Sequence, residues 1–382
     1  MKKNIYIMYA MGLLQGMVFY SPVATLYRQA QGITVFQISV IESISLALGI
    51  ALEIPWGVVA DKIGYRKTMI FCSGLYFVSK IVFWKATEFS GFLAERIMLS
   101  VVLAGFSGVD SSILYLSCKG KDSQKVFGIY NSMGMAGLLI AAVVFSVFVQ
   151  DNYAMAGFLT VISYGLAALL SLGLTEVKQI KSEEIQPEPF KITLQKALRN
   201  QTLLLFLIAA ALMSEVHQTI TVFLNQLQYE RCGLHSSAIG FVYIIATVLG
   251  LLGVYSAAVT KRLGVHRSFS LFCGLAVVSC LVLGLTQHPL PSVISILTLR
   301  LSDTLFQPFQ VKLQNKQIKS ENRATALSVY AMIMDSIAIG TNLIFGALSD
   351  WNLPAAFLFG GGTCTLSLIL FFLWQKRSAL LQ

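Results

Sequence analysis

Ionisable side chains interrupt long apolar stretches of this sequence. The acids are Glu42, Glu53, Asp110, Glu215, Asp303 and Asp335, and the bases are Lys80, Arg96 and Arg300. A charge at the centre of a lipid-spanning helix costs roughly 2.5–3.5 kcal/mol on insertion scales, so such residues are read first as chemistry. The chemistry open to them is proton uptake and release, exchange of ion-pair partners, and binding of a polar molecule. Arg300, Asp303, Gln307 and Gln310 follow at spacings of three, four and three, which is one face of a helix. Arg300 and Asp303, one turn apart, form either a binding and coupling site or an internal pair that fixes helix packing. Glu215, His217 and Gln218 sit near the centre of another apolar run. Glu215 has no cation on its own helix, so a low-dielectric setting keeps it ready to bind a proton. His217, two residues on, points elsewhere. Arg96, Ser100, Ser107, Asp110 and Ser111 share a stripe. Arg96 either contacts a bound molecule or snorkels to an interface, and Asp110 either carries a proton or bonds within a gate. Asp335 is placed to pair with Arg300. Lys80 is expected to snorkel, and Glu53 to belong to gate structure. The expected proton carriers are therefore Glu215, Asp303, Asp110 and Asp335. The expected binding residues are Gln15, Arg96, Gln218, Arg300 and Gln307.

These residues need elements that can hold them in an apolar medium. Of the 382 residues, 56% are hydrophobic and 12% are charged. A soluble chain carries about 25% charged residues, and half that share cannot coat a water-facing surface. A soluble enzyme, a disordered chain and a secreted disulfide scaffold are excluded. Apolar runs of helix length lie at 5–27, 36–60, 68–85, 91–117, 126–149 and 153–174, and again at 201–226, 236–260, 267–286, 291–311, 324–348 and 353–374. Only helices or closed barrels satisfy their backbone in lipid, and a barrel would show strands of about ten alternating residues. The expected fold is an all-α membrane protein with twelve transmembrane helices in two pseudo-symmetric six-helix bundles. Trp84, Trp351 and Trp374 fall at predicted helix ends, where interfacial belts form.

The formal charge of +10 first suggests nucleic acid or other anionic partners. The Lys and Arg residues, however, gather in alternate loops, all but Arg28, Lys80, Lys85, Arg96, Arg231 and Arg300. This is the bias of cytoplasmic loops. It predicts both termini on the cytoplasmic side of an inner membrane, with the bilayer rather than nucleic acid as partner. The six cysteines are scattered without a CxxC pair, and no HExxH or Walker-type loop occurs. No cofactor or metal is expected, no cleavable leader is apparent, and the chain is read as a monomer.

Segment 175–200 is the single long polar stretch, with Pro187, Pro189 and charges of both signs. It separates an N-terminal bundle, 1–174, from a C-terminal bundle, 201–382, and a short interfacial helix is expected near 190–199. The halves resemble each other at an offset of 200. Lys62-Ile63-Gly64 matches Arg262-Leu263-Gly264, Phe127-Gly128-Ile129-Tyr130 matches Leu327-Ser328-Val329-Tyr330, and Gln15 falls opposite Glu215. Duplicated six-helix halves are a transporter architecture, with the solute held near midplane.

After the second run comes Gly57-Val-Val-Ala-Asp61-Lys62-Ile-Gly64-Tyr65-Arg66-Lys67. Gly64 permits a tight turn, and Asp61 at a helix end suits a facing helix N-terminus. The stretch resembles the signature loop of the major facilitator superfamily, G-x-x-x-D-[RK]-x-G-[RK]-[RK], with Tyr65 in one basic slot. Glu53-Ile54-Pro55 and Asn322-Arg323-Ala324-Thr325 are similar to stretches of prokaryotic drug-efflux-like members. The resemblance implies that Gly57, Asp61, Lys62, Gly64, Arg66 and Lys67 latch the outward-open state, and that helices one, four, seven and ten line a cavity. The copy at 257–267 has Lys261 in place of the acid. The fifth helix offers Gly128, Gly134 and Gly137 but lacks the Gly-Pro of drug-exporting antiporters.

The expected function is proton-coupled secondary transport of a small organic solute by alternating access, with efflux of amphipathic or cationic compounds preferred because carboxylates outnumber bases at membrane depth. The alternatives are uptake of a polar or anionic metabolite with Arg300 as clamp, and a membrane sensor that no longer transports. An intramembrane enzyme would need an acid–base or metal constellation that the sequence does not offer.

Overall fold

The computed structural model describes residues 2–118, 123–177, 190–318 and 323–380. These are helical almost throughout, with no strand among the described residues. Nine stretches among them are long and apolar enough to cross a membrane. One, Ser236–Leu285, holds two spans, the eighth and ninth, folded at Gly264, where φ is +77°. Two further helices, Tyr65–Lys85 and Pro289–Gln317, complete the twelve. They are less apolar because they carry Lys80 and Lys85, or Arg300, Asp303 and Lys312. The protein is thus an all-α membrane protein of twelve spans in two six-helix bundles.

Local chemistry sets the ends. Asn152 starts the sixth span, Tyr153–Ser171, by accepting a hydrogen bond from the Met155 amide at 3.0 Å. Asn200 does the same for the seventh, Gln201–Arg231, through the Leu203 amide at 3.1 Å. Both satisfy otherwise orphaned donors. Several helices run beyond the apolar stretches: the second reaches Ile63, the tenth Gln317 and the twelfth Leu380. Polar residues continue those helices outside the apolar layer, where hydropathy gives no signal. The expected short helix is present at Phe190–Arg199, exposing Ile192 and Leu198. Linker residues 178–189 lie outside the described residues.

Contacts group the chain into two compact units, one of Met1–Gln37, Ile44–Ser182 and His235–Ile244, the other of Ile38–Ser43, Glu183–Leu234 and Ile245–Gln382. Each repeats one internal plan. In the first, span one packs on five and six, and span three on four and six; in the second, seven packs on eleven and twelve, and nine on ten and twelve. Gly64 and Gly264 both hold positive φ, +95° and +77°, at equivalent turns. A side chain there would be strained, so glycine in both copies has a backbone reason.

Spans one, four and seven are interrupted. The first, Lys3–Ala30, leaves helical form after Gly16 and resumes through a tight turn at Ser21–Val23. The fourth, Phe89–Ser117, breaks at Gly108, whose φ is +78°. The seventh widens into a π-turn at Thr219–Leu224. Such breaks free backbone groups and are common at functional sites. The first span also meets the fifth backbone to backbone. A methyl group on Gly16 would overlap the Gly134 carbonyl oxygen, and one on Gly137 would overlap that of Leu13.

Candidate functional site

The second unit gathers the polar residues of spans seven, ten and eleven. Glu215 is 7% exposed, and its carboxylate accepts the Thr219 hydroxyl at 2.9 Å. Thr219 opens the π-turn, so the helix distortion and the carboxyl bond share one residue. Asp335 and Glu42 lie close enough for their charges to act on Glu215. Negative charge on either neighbour acts against negative charge on Glu215, so a proton or a cation is favoured there. Gln218, expected to bind solute, is exposed.

The tenth span presents its predicted face. Arg300 Nη1 donates to Asp303 Oδ2 at 3.3 Å, and Gln307 Nε2 donates to Asp303 Oδ1 at 3.2 Å. Arg300 Nε also reaches the Ala246 carbonyl at 3.5 Å. Gln310 is buried and accepts the Ser214 hydroxyl at 2.7 Å, tying this face to span seven. The structure therefore gives Arg300 an Asp303 partner on its own helix, while Asp335 sits by Glu215. His217, not expected among the site residues, is wholly buried with Nδ1 3.9 Å from Asp303 Oδ1. Its position follows from helical geometry. Two residues past Glu215, it faces span ten while Glu215 faces span eleven.

In the first unit the expectation for Lys80 is overturned. It does not snorkel: it is 4% exposed, and its Nζ bonds Glu95 Oε1 at 2.8 Å and the Tyr20 hydroxyl oxygen at 3.1 Å. The ammonium also lies 5.2 Å from the Tyr76 ring centroid and 5.7 Å from that of Tyr164. Arg28 and Arg96 are near enough for their charges to act on Glu95. Glu95 escapes a reading along the fourth span, where Arg96 draws attention. The usable signal runs across the hairpin, because Lys80 and Glu95 are almost equally far from the turn between Lys85 and Phe89. Antiparallel helices joined there bring the two residues level.

The remaining candidates have separate places. Arg96 is half-buried, and its carbonyl accepts the Ser100 hydroxyl at 3.0 Å. Gln15 stands at the end of the first helical segment of span one, its carbonyl accepting the Tyr164 hydroxyl at 2.5 Å. Asp110 lies in the first turn after the Gly108 break and accepts from the Ser111 amide at 2.5 Å and the Ser111 hydroxyl at 3.1 Å. Trp374 is not an interfacial anchor. It is 6% exposed and packs on Phe206 and Phe371 at 5.1 and 5.0 Å, because its helix continues to Leu380. Trp351, by contrast, is 76% exposed.

Of the expected gate residues, the side chains of Glu53, Gly57 and Asp61 lie outside the described residues. Lys62 and Lys67 are exposed. Arg66 closes the end of span six: its Nε donates to the Leu174 carbonyl at 2.6 Å, its Nη2 to Leu172 at 3.3 Å, and its amide to Glu176 Oε1 at 3.2 Å. Glu176 also packs against Gly64. The repeat copy keeps the plan with different chemistry, since His266 Nδ1 lies 2.8 Å from Gln375 Oε1 and stacks on Phe372. No group of three or more His, Cys, Asp or Glu able to hold a metal occurs among the described residues.

Known proteins share this architecture. The family model of the Major Facilitator Superfamily matches residues 5–341. An uncharacterized MFS-type transporter, YhhS of Salmonella typhi, is 24% identical over 213 residues, covering 56% of this chain and 50% of that protein. The match thus spans about half the length of such curated relatives. Among solved structures, the nucleoside transporter NupG superposes with a TM-score of 0.81 at 14% identity, covering 98% of this chain and 99% of that one. A bacterial homologue of the human lysosomal transporter Spinster, inward-facing and occupied, gives 0.72 at 15% identity over 98% and 96%. A POT family transporter in complex with 5-aminolevulinic acid gives 0.72 at 14% over 98% and 95%. At these identities the structures speak for the fold, and the profile match for the family: the chain belongs to the Major Facilitator Superfamily.

Proposed function

We propose that this secondary transporter is driven by the proton gradient and exports small amphipathic or cationic organic compounds by alternating access. It would do so as a monomer in the inner membrane with both termini cytoplasmic. The observation that carries the reading is the buried Glu215, bonded to Thr219 and within electrostatic reach of Asp335 and Glu42. Such a group accepts either a proton or a cation in place of it. Competition between the two at one carboxyl is the logic of exchange. Gln15, the repeat counterpart, keeps polarity but does not titrate, so coupling is confined to one half. Asp303 already accepts from Arg300 and Gln307, and Asp110 from the amide and hydroxyl of Ser111, so both carboxylates are engaged within their own helices.

The test uses inside-out vesicles, an imposed pH gradient and ethidium as a fluorescent organic cation. The wild-type protein is expected to accumulate ethidium only with the gradient. Glu215→Gln is expected to retain its fold and ethidium binding but to lose gradient-driven accumulation and the pH dependence of binding. Full accumulation by Glu215→Gln would remove this residue from the mechanism.

A second reading, uptake of a polar or anionic metabolite, is favoured by one feature. Arg300 keeps 34% of its side chain exposed beside Asp303, within a helix otherwise set in an apolar bundle.

A further inference from the structure

His217 is wholly buried, and neither ring nitrogen has a hydrogen-bond partner. Buried polar nitrogens are rarely left so, because each has given up its bond to water. Asp303 Oδ1 stands 3.9 Å from Nδ1, too far for a hydrogen bond. A small rotation of either side chain would make one. Asp303 meanwhile bonds Arg300 and Gln307. The three charged or titratable side chains are graded in depth: Arg300 is 34% exposed, Asp303 13% and His217 0%. The Phe306 ring lies against the imidazole at 6.0 Å and limits where it can move.

We propose that Arg300 is a subsite for a carboxylate or phosphate oxyanion of the solute, and that His217 takes over the Asp303 carboxylate when the solute takes the guanidinium. The proposal rests on reading the chain as a proton-coupled transporter and extends its second form. In the resting arrangement Arg300 and Asp303 neutralise each other beside a neutral imidazole. An arriving oxyanion pairs with Arg300 and displaces Asp303, which is then left without its cation and with Gln307 as its remaining donor. One proton on His217 restores the balance: guanidinium with oxyanion, imidazolium with Asp303. Binding one anionic group therefore takes up one proton. When the oxyanion leaves, Asp303 returns to Arg300 and the proton is released.

The charges that act on the ring belong to Asp303 and Arg300, both on span ten. Span eleven places Asp335 by Glu215. Span twelve carries no acid or base between Leu353 and Gln375. The ring thus answers to this pair rather than to a wider field. Helix geometry directs the His217 ring and the Glu215 carboxyl to different neighbours, so the two groups are separable by mutation.

The test measures binding to the purified full-length protein between about pH 5 and 8, with benzoate, succinate and inorganic phosphate as probes and choline as a cationic control. Wild type is expected to bind at least one oxyanion, with affinity rising by up to about tenfold per unit fall in pH, the slope of one linked proton. Arg300→Gln should abolish that binding. His217→Gln, with His217→Asn as a second variant, should flatten the slope and weaken binding at low pH. Asp303→Asn should bind the oxyanion with no slope, because no carboxylate has to be rehoused. An unchanged slope in folded His217 variants overturns the proposal, as does binding of choline with none of the oxyanions. Failure of the underlying reading is distinct: wild-type proteoliposomes would show pH-linked oxyanion binding but no gradient-driven flux.

Discussion

The two halves hold their buried charge in opposite ways. In the first unit, Lys80 and Glu95 form an interhelical pair that is 5% and 2% exposed, walled by Tyr20, Tyr76 and Tyr164. Two hundred positions on, the second unit has Cys280 and Ser295, both buried. In the second unit, Arg300 and Asp303 form a pair on one helix that is 34% and 13% exposed. Its counterparts in the first are Ser100 and Leu103. The same contrast holds at the ends of spans one and seven. Buried Arg28 of the first unit corresponds to Gln228 of the second, whose amide donates to Ser292 Oγ at 2.9 Å and the Thr286 carbonyl at 3.1 Å. A neutral side chain can tie a helix end to the next hairpin, so charge is not required for that task. A sealed pair fixes helices; an open pair can change partners. Duplication supplied one scaffold, and the halves diverged in which of the two they keep.

The sharpest way to break this comparison is to strip the sealed pair. Lys80→Met leaves Glu95 buried, and removing one member of a buried pair costs about 3–5 kcal/mol. Thermal unfolding in detergent should show a large loss, with Lys80→Met/Glu95→Leu milder than either single change. Additive losses, with the double change costing the sum of the two single changes, would mean that the pair does not act as one. A smaller effect is expected where spans one and five of the first half pack by glycine. Gly137→Val would overlap the Leu13 carbonyl, and overpacking of this kind costs about 1–3 kcal/mol. Gly128→Val, with nothing within 4 Å of its added carbon, is the control and should be near neutral. The smallest stability effect belongs to the open pair. A double-mutant cycle on Arg300→Gln and Asp303→Asn should give a coupling below about 1 kcal/mol, as for other solvent-reached pairs, while transport falls sharply in each single variant. A coupling as large as that of Lys80 and Glu95 would erase the distinction between the halves.

Much of this was legible in the residues themselves. Apolar runs located all twelve spans, because lipid forces each spanning segment to be helical and apolar. The repeat was legible at Gly64 and Gly264, since a positive φ leaves few other residues to choose. The polar face of span ten followed from spacing alone, because Arg300, Asp303 and Gln307 lie along one helix. Glu95 was hidden because its partner lies across a hairpin, and register across a turn is not a periodicity. Gly134 and Gly137 were visible as glycines without a reason. Their reason is a close approach to Leu13 and Gly16, which only packing reveals. His217 was visible too, but its burial against Phe306 depends on how span seven is rotated.

The placement of Lys80 also bears on how the chain enters the bilayer. Span three leaves the ribosome before Glu95 has been made. Alone, it offers the membrane a helix with an ammonium and no counter-charge, a penalty of roughly 2.5–3.5 kcal/mol at the lateral gate of the translocon. The turn to span four is only residues 86–88, so the missing carboxylate follows almost at once. Partition of the two spans as one hairpin would present this pair to the bilayer already neutralised. Span ten needs no such escort, because Asp303 sits one turn behind Arg300 on the same helix and emerges with it.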